Sequence, residues 1–402
     1  MSLLPVQDAL DRICSALAPV ESEQVSLHSA LGRTTAEDLS AKLTQPPFDA
    51  SAMDGYAVLA EDIEDCPVEL NLIGEAPAGG AFDEVVGAGE AVRIFTGGPL
   101  PRGADTVVIQ ENVEKLPENR IRIVETASQG RNIRKMGNDF SAGDVLVEKG
   151  LRLGSRHLGL LAAANAAEVS VTRKPRVALL ATGDELVRVG EKVGPNQIVS
   201  SNSLLIGKLI EEQGGEVIDL GIARDNEESL RVMANKVQDV DLLVTIGGAS
   251  VGDHDLVQKV LGEEGLKVDF WKIAMRPGKP LIFGQFRNIP MLGLPGNPAS
   301  AYVCAMVFLL PALHILMGRR MVGADQQVAR LKNHLPANGD RQHYMRARAE
   351  FDNQGLLTVE TASSQDSAKL STLSGANCLV IRHPNAPEID LGDMVPILVM
   401  PS

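Results

Sequence analysis

RVALLATGDEL (176–186) and DLLVTIGGASVGDHD (241–255) are the two stretches whose reading decides the fold. Each is an apolar run that stops at a glycine and then turns acidic. Between them lie a helical segment, Asn202–Gln213, with Leu205, Leu209 and Ile210 on one face, a strand-like run, Glu216–Gly221, and a second helical segment, Glu227–Val237. A third helix is predicted over Asp255–Glu263. A strand covered on both faces reads as a continuous apolar run, and strands alternating with amphipathic helices make βαβ units on a mostly parallel sheet. Such a sheet binds ligands at the carboxyl ends of its strands. The turns at Gly183, Gly247 and Leu294-Pro295-Gly296 all fall there.

Outward from this α/β unit the pattern changes. Short apolar runs at Val68–Ile73, Ala91–Phe95, Thr106–Gln110 and Ile121–Val124 are separated by Gly, Pro and Asn turns, which predicts a β-rich domain over 43–141. Residues 24–42 and 142–173 flank it, so it reads as an insertion into a small linking domain. The α/β domain then comprises 1–23 plus 174–320, and 321–402 forms a C-terminal β domain with strands at Tyr344–Phe351, Gly355–Glu360, Cys378–Arg382 and Met394–Met400. At the N-terminus Val6, Ala9, Leu10, Ile13 and Leu17 recur at helical spacing, with Asp8, Asp11 and Arg12 between them. That is an amphipathic helix rather than a signal peptide. Pro298–Gly318 carries no charged residue, but Pro311 and His314 interrupt it, which predicts a buried helix rather than a membrane span.

Composition removes several classes of function. Lys plus Arg is 38 against 52 Asp plus Glu, a formal charge of −14. A protein that coats nucleic acid needs a basic surface. Aromatic residues are 3%, too few for a base-stacking platform. The four cysteines, Cys14, Cys66, Cys304 and Cys378, form no C-x-x-C, which fits a reducing cytoplasm better than a disulfide framework or a structural zinc site.

Gly247-Gly-Ala-Ser-Val-Gly252 can converge backbone N–H groups on a phosphate at a helix start. It is neither a Walker loop nor a G-x-G-x-x-G fingerprint. A tight turn would explain it as well, until its neighbours are counted: Asp253 and Asp255 follow at once, Asp184 and Glu185 end another strand, and Asp225 follows a third. One such Asp is commonly a helix cap. Several beside a phosphate cradle fit a hard cation, because Mg2+ takes one or two carboxylates plus phosphate oxygens. Lys272, Arg276 and Lys279, around Pro277-Gly278, supply the opposite charge. In the β-rich domain Asp49 and Asp54 sit in a Ser/Gly/Pro loop, and Arg131 and Arg134 precede Asp139 and Asp144. Nothing resembles a Ser-His-Asp or Cys-His nucleophile system. These residues together predict a Mg2+-assisted site for a phosphorylated anion, shared by several domains.

PPFDASAMDGYA (46–57), GRNIRKMGNDFSAGD (130–144), ATGDEL (181–186), IGGASVGDHD (246–255), MRPGKP (275–280) and LPGNPAS (294–300) occur together and in this order. With them the chain resembles the molybdopterin molybdenumtransferase family, MoeA, whose relatives include the E domain of gephyrin. The resemblance covers essentially the whole chain. It implies a homodimer of four-domain subunits, with an α/β domain like the molybdopterin-binding fold of the adenylyltransferase that is its expected partner. It implies molybdenum insertion from molybdate into adenylated molybdopterin, with Mg2+ as the cation and AMP released. By the same resemblance Asp54, Thr96, Asp139, Glu185, Asp225 and Asp255 are the catalytic positions. Asp139, Glu185, Asp225 and Asp255 among them are candidates for the metal. Ser250, Lys272, Arg276 and Lys279 would hold phosphate or pterin, Ser300, Arg346 and Ser367 would meet molybdate, and Arg134 completes the binding set.

Two features set the chain apart. Position 276 is Arg where relatives often carry Lys, a planar fork rather than a point charge. No fused adenylyltransferase domain is evident, so the adenylated substrate would come from another protein. Two other readings remain open: a Mg2+-dependent pterin adenylyltransferase, which the α/β unit alone would suit, and a non-enzymatic scaffold. The β-rich and C-terminal domains favour the transferase over the former, and the clustered carboxylates count against the latter.

Overall fold

The computed structural model describes residues 3–77, 79–247 and 256–401. In the α/β unit Arg176–Thr182 lies between Glu216–Ala223 and Leu242–Ile246 and runs parallel to both. Leu242–Ile246 is parallel to Ile289–Leu294, beyond which Pro280–Phe286 and Leu266–Lys272 add antiparallel strands. The sheet is therefore parallel through four strands and antiparallel at one edge. Helices Ser201–Gln213, Glu227–Ala234 and Leu256–Glu263 connect the strands and cover the faces. Val177, Leu179, Leu242, Val244 and Leu292 turn to one face and Ala178, Leu180, Leu243 and Met291 to the other, each into its own apolar cluster. Burial on both sides explains the unbroken apolar runs.

The N-terminal helix Val6–Ser15 places Val6, Ala9 and Ile13 in the larger of these clusters, against Ile210, Phe308 and Leu313. The Pro298–Leu316 segment crosses the same core, and 89% of its most apolar window is buried inside the protein. It is not one uniform helix: α-helix over Pro298–Cys304 widens to a π-turn at Ala305–Leu309 and resumes at Leu310–Leu316. Pro311 has no N–H to give, and its ring crowds the carbonyl four residues back, so a wider turn ahead of it relieves the clash.

The segments on either side of the β-rich sheet fold onto each other. Ser22–Ser26 pairs with Glu168–Thr172, Leu39–Ser40 pairs with Val145–Val147, and helix Ser155–Ala163 closes a small core around Leu153, Leu161 and Val171. The β-rich sheet runs in the order Thr106–Ile109, Gly55–Val58, Glu90–Ile94, Val68–Ala76, Arg120–Ile123, Val113–Leu116. Gly55 is obligatory in it, because a Cβ there would lie 2.0 Å from the Val108 carbonyl oxygen.

At the C-terminus Gln342–Phe351, Leu357–Thr361, Gln326–Leu331, Met394–Val399 and Cys378–Arg382 form a sheet that closes on itself, since Gln342–Phe351 also pairs with Cys378–Arg382. One further strand joins it from the α/β unit: Met275–Arg276 lies parallel to Gln342–His343. Apolar periodicity cannot reveal a strand of two residues, so the sequence predicts only a charged turn here.

Candidate functional site

Three of the sequence-predicted groups can be followed in the structure. The first is at the carboxyl edge of the parallel strands. Thr182 ends its strand, Gly183 takes φ +149°, and the Glu185 carboxylate folds back until one oxygen is 2.6 Å from where a Gly183 Cβ would stand. Just past the end of the next strand the Asp225 N–H donates to Asp184 Oδ1 at 3.0 Å. Asp184, Glu185 and Asp225 therefore crowd together. Burial first, then the Asp184 and Glu185 charges, push the Asp225 carboxyl above its ordinary value. Arg224 holds this corner in place: its Nη1 donates to the Asp184 and Leu186 carbonyls at 2.9 and 3.0 Å. Arg224 immediately precedes Asp225 but has no motif of its own, so the sequence does not single it out.

Across the edge, Asn202 Nδ2 donates to the Gly296 carbonyl at 2.6 Å, tying the helix start to the Pro295-Gly296 loop. Asn202 Oδ1 and Thr182 Oγ1 are buried and without hydrogen-bond partners among the described residues. Buried polar atoms are normally paired, so such orphans mark where a ligand or water belongs. Ser250 and Asp255 lie outside the described residues.

The second group is cationic. Lys272 and Lys279 stand at the base of a hairpin where the Ile273 N–H donates to the Lys279 carbonyl at 3.1 Å, and Lys272 Nζ sits 3.9 Å from the Trp271 ring centroid. Arg276, at the hairpin tip, is carried away from them onto the C-terminal sheet. There it comes near Arg346, whose residue surface is 0% exposed. Arg346 Nη2 donates to the Asp366 carbonyl at 3.2 Å, while its Nε and Nη1 have no partner among the described residues. Burial is the main cause that lowers the Arg346 proton affinity; Asp366 opposes it and Arg276 adds to it. Ser367 lies alongside: its Oγ accepts from Asn297 Nδ2 at 3.1 Å, and its carbonyl from the Ala299 N–H at 3.0 Å. Ser300, 5% exposed, is in the first turn of the same helix. Arg276, Ser300, Arg346 and Ser367 are thus gathered by one junction between the α/β unit and the C-terminal sheet.

The third group stays within the β-rich part. Asp54 Oδ1 accepts from both the N–H and the hydroxyl of Thr96, each at 2.8 Å, and these bonds hold the carboxyl below its ordinary value. Asp49 pairs with Lys135 Nζ and the Met136 N–H at 2.8 and 2.9 Å. Arg134 is exposed on a short strand opposite Ala50, and Asp139 is exposed with its N–H on the Gln45 carbonyl. Among the described residues no hydrogen bond or ion pair links this group to either of the other two. Nor, among the described residues, do three or more Asp, Glu, His or Cys side chains converge as a metal cage.

A parallel sheet with glycine turns, orphaned polar atoms and carboxylates at its carboxyl edge, joined to buried arginines on a second sheet, defines a multidomain α/β protein with a candidate ligand site at that edge. Sequence comparison narrows the class. Residues 4–165 match the MoeA N-terminal region (domains I and II), 178–315 a probable molybdopterin-binding domain, and 328–400 the MoeA C-terminal region (domain IV). The molybdopterin molybdenumtransferase of Haemophilus influenzae is 36% identical over 94% of both chains. That of a Nostoc species is 34% identical over 98% of this chain and 94% of its own. A crystal structure of a molybdopterin biosynthesis MoeA protein from Pyrococcus horikoshii superposes with a TM-score of 0.87 at 34% identity, covering 100% of both chains. The chain belongs to the molybdopterin molybdenumtransferase (MoeA) family.

Proposed function

We propose that this protein inserts molybdenum from molybdate into adenylated molybdopterin and releases AMP, giving molybdenum cofactor. The observation that carries the reading is Arg346: a fully buried guanidinium with two unpartnered nitrogens, near a second arginine and beside Ser300 and Ser367. A buried cation without a carboxylate is costly unless an anion completes it. Molybdate, a tetrahedral dianion, suits two guanidinium N–H donors and two hydroxyls.

In this reading the carboxyl edge of the parallel sheet takes the pterin and its phosphate, with Ser250, Lys272 and Lys279 as anion ligands, while Arg276 serves the C-terminal sheet instead. Glu185 and Asp225, with Asp255, hold Mg2+. The crowded Asp184, Glu185 and Asp225 carboxylates suit such an ion, and in the absence of a closed cage it would complete its shell from phosphate oxygens and water. When bound, Mg2+ supplies positive charge next to the phosphate group. Asp54, Thr96, Arg134 and Asp139 belong to the same reaction only if the β-rich part of a second subunit reaches this cleft, so we assign the working unit to a homodimer. The adenylated substrate comes from a separate adenylyltransferase. The location we assign is the cytoplasm, in keeping with the four unpaired thiols.

The test is incubation with purified adenylated molybdopterin, Mg2+ and molybdate. Molybdate-dependent AMP release is expected. Formation of the adenylated pterin from ATP, without any molybdate requirement, would assign the protein to the preceding step and overturn the proposal.

A further inference from the structure

At the mouth of the C-terminal barrel three basic side chains stand in one row. Arg276 is in register with His343 on the neighbouring parallel strand, and His343 is in register with Arg382 on the antiparallel strand beyond. Residues paired in this way share a face of the sheet. Their face is identified by the next residues along the strands, Met345, Ala347, Cys378 and Val380, which pack in the core of the barrel itself. Arg346 is on the other face, with Met275 and Tyr344, which pack into the α/β core. The row and Arg346 therefore lie on opposite faces of the sheet, with the charge of Arg276 felt on both.

Arg382 is 3% exposed and His343 is 8% exposed, yet Arg382 Nε and His343 Nε2 have no hydrogen-bond partner among the described residues. Arg382 Nη2 is occupied by the Pro387 carbonyl. Asn338 Nδ2 braces the surrounding backbone through the carbonyls of Arg341, Arg382 and His383, at 2.9, 3.1 and 2.7 Å. Burial, with Arg276, Arg346, Arg341 and Arg382 around it, presses His343 down to about 4, so it is neutral at pH 7. None of these four arginines has an ion pair with a carboxylate among the described residues. A water molecule could satisfy one orphaned N–H but would leave the buried Arg382 charge uncompensated; a small anion does both. The mouth of a closed sheet is also a common place for a ligand.

We propose that Arg382 and His343, with Arg276 at the end of the row, form a second binding position for a small tetrahedral oxyanion, on the opposite face of the sheet from Arg346. That the natural ion is molybdate rests on the function proposed above; the position itself does not.

The experiment is equilibrium dialysis of the full chain against molybdate, with sulfate as a second probe. Two ions per chain are expected for the unaltered protein. One is expected for Arg382→Gln, and one for Arg346→Ala, with none left in the double variant. The ion retained at Arg346 also shows that Arg382→Gln has kept its fold; should that variant fail to fold, His343→Phe must show the same fall from two to one. Two ions in Arg382→Gln and His343→Phe, or a single ion in the unaltered protein that only Arg346→Ala removes, overturns the second position. Its failure is distinct from failure of the proposed reaction: molybdate-dependent AMP release with only one bound ion sinks the row alone. Two bound ions without molybdate-dependent AMP release sinks the reaction alone.

Discussion

Replacing Arg346 by Met takes a charge out of a site that gives it little in return. The guanidinium is 0% exposed and makes one side-chain hydrogen bond, to the Asp366 carbonyl, with Nε and Nη1 empty-handed. The backbone bonds that tie position 346 to Gln365 do not depend on the side chain. Exchanging a poorly compensated buried charge for an apolar chain of similar length is neutral or stabilising by about 1–4 kcal/mol. In a chain of 402 residues each kcal/mol moves the melting point by no more than about 2–4 °C. The ligand-free variant is therefore expected to melt at the same temperature as the unaltered protein or up to roughly 16 °C higher. In the proposed function the same change removes two charge-assisted hydrogen bonds to molybdate, each about 1.5–3 kcal/mol. At about 1.4 kcal/mol per tenfold, the molybdate needed for half-maximal AMP release rises on the order of a hundredfold to ten-thousandfold. Thermal melts without ligand and AMP release titrated with molybdate read the two effects separately. A variant that melts well below the unaltered protein, or one that keeps its molybdate requirement, refutes the reasoning.

Two further outcomes follow from the same geometry. Because the folded protein raises the Asp225 carboxyl above its unfolded value, that group favours the fold only while protonated, and its contribution is lost as pH rises through the raised value. Asp225→Asn should accordingly be more stable than the unaltered protein at neutral pH, with the difference closing on acidification through the ordinary carboxylate range; urea midpoints across that range check it, and a constant difference would contradict the cause. Gly278 has φ +105°, and a Cβ there would meet Cys304 Sγ at 2.4 Å. Gly278→Ala should cost about 1–3 kcal/mol and weaken molybdate binding by displacing Arg276. Adding Cys304→Ala should recover the steric part only, which denaturant midpoints of the single and double variants would show.

Much of the architecture was legible because it rests on long apolar runs. Arg176–Thr182 and Cys378–Arg382 fall where the runs place them, since strands buried on both faces leave no alternation to misread. Shorter or mixed signals were less informative. The π-turn before Pro311 and the Met275–Arg276 strand arise from packing against distant segments, and neither has a period of its own. Arg346 and Arg348 illustrate the limit for the site. They share a face of one strand and look alike in Tyr344-Met-Arg-Ala-Arg348, but Arg346 is enclosed where the α/β unit meets the sheet and Arg348 stands in solvent. Which of two like residues lies under a neighbouring module is decided by where that module ends. Arg224 and Asn202 escaped notice for a related reason: each acts on a loop carbonyl from another strand or helix, a role with no local spacing.

The Met275–Arg276 strand has a consequence for how the molecule can be divided. Leu4 bonds to the Lys272 carbonyl and receives the Ala274 N–H, and the Ala274 carbonyl in turn receives the Gln342 N–H. Three parts of the chain, at residues 4, 272–276 and 342, are thereby sewn along one seam. A fragment cut near residue 320 would surrender a borrowed strand, expose the backbone of Gln342 and His343, and lose one of the three members of the basic row. The α/β fragment would keep its Arg276 but have nothing to aim it at. Neither half is a spare part: the proposed grip on an oxyanion belongs to the seam, and it needs both sides of it.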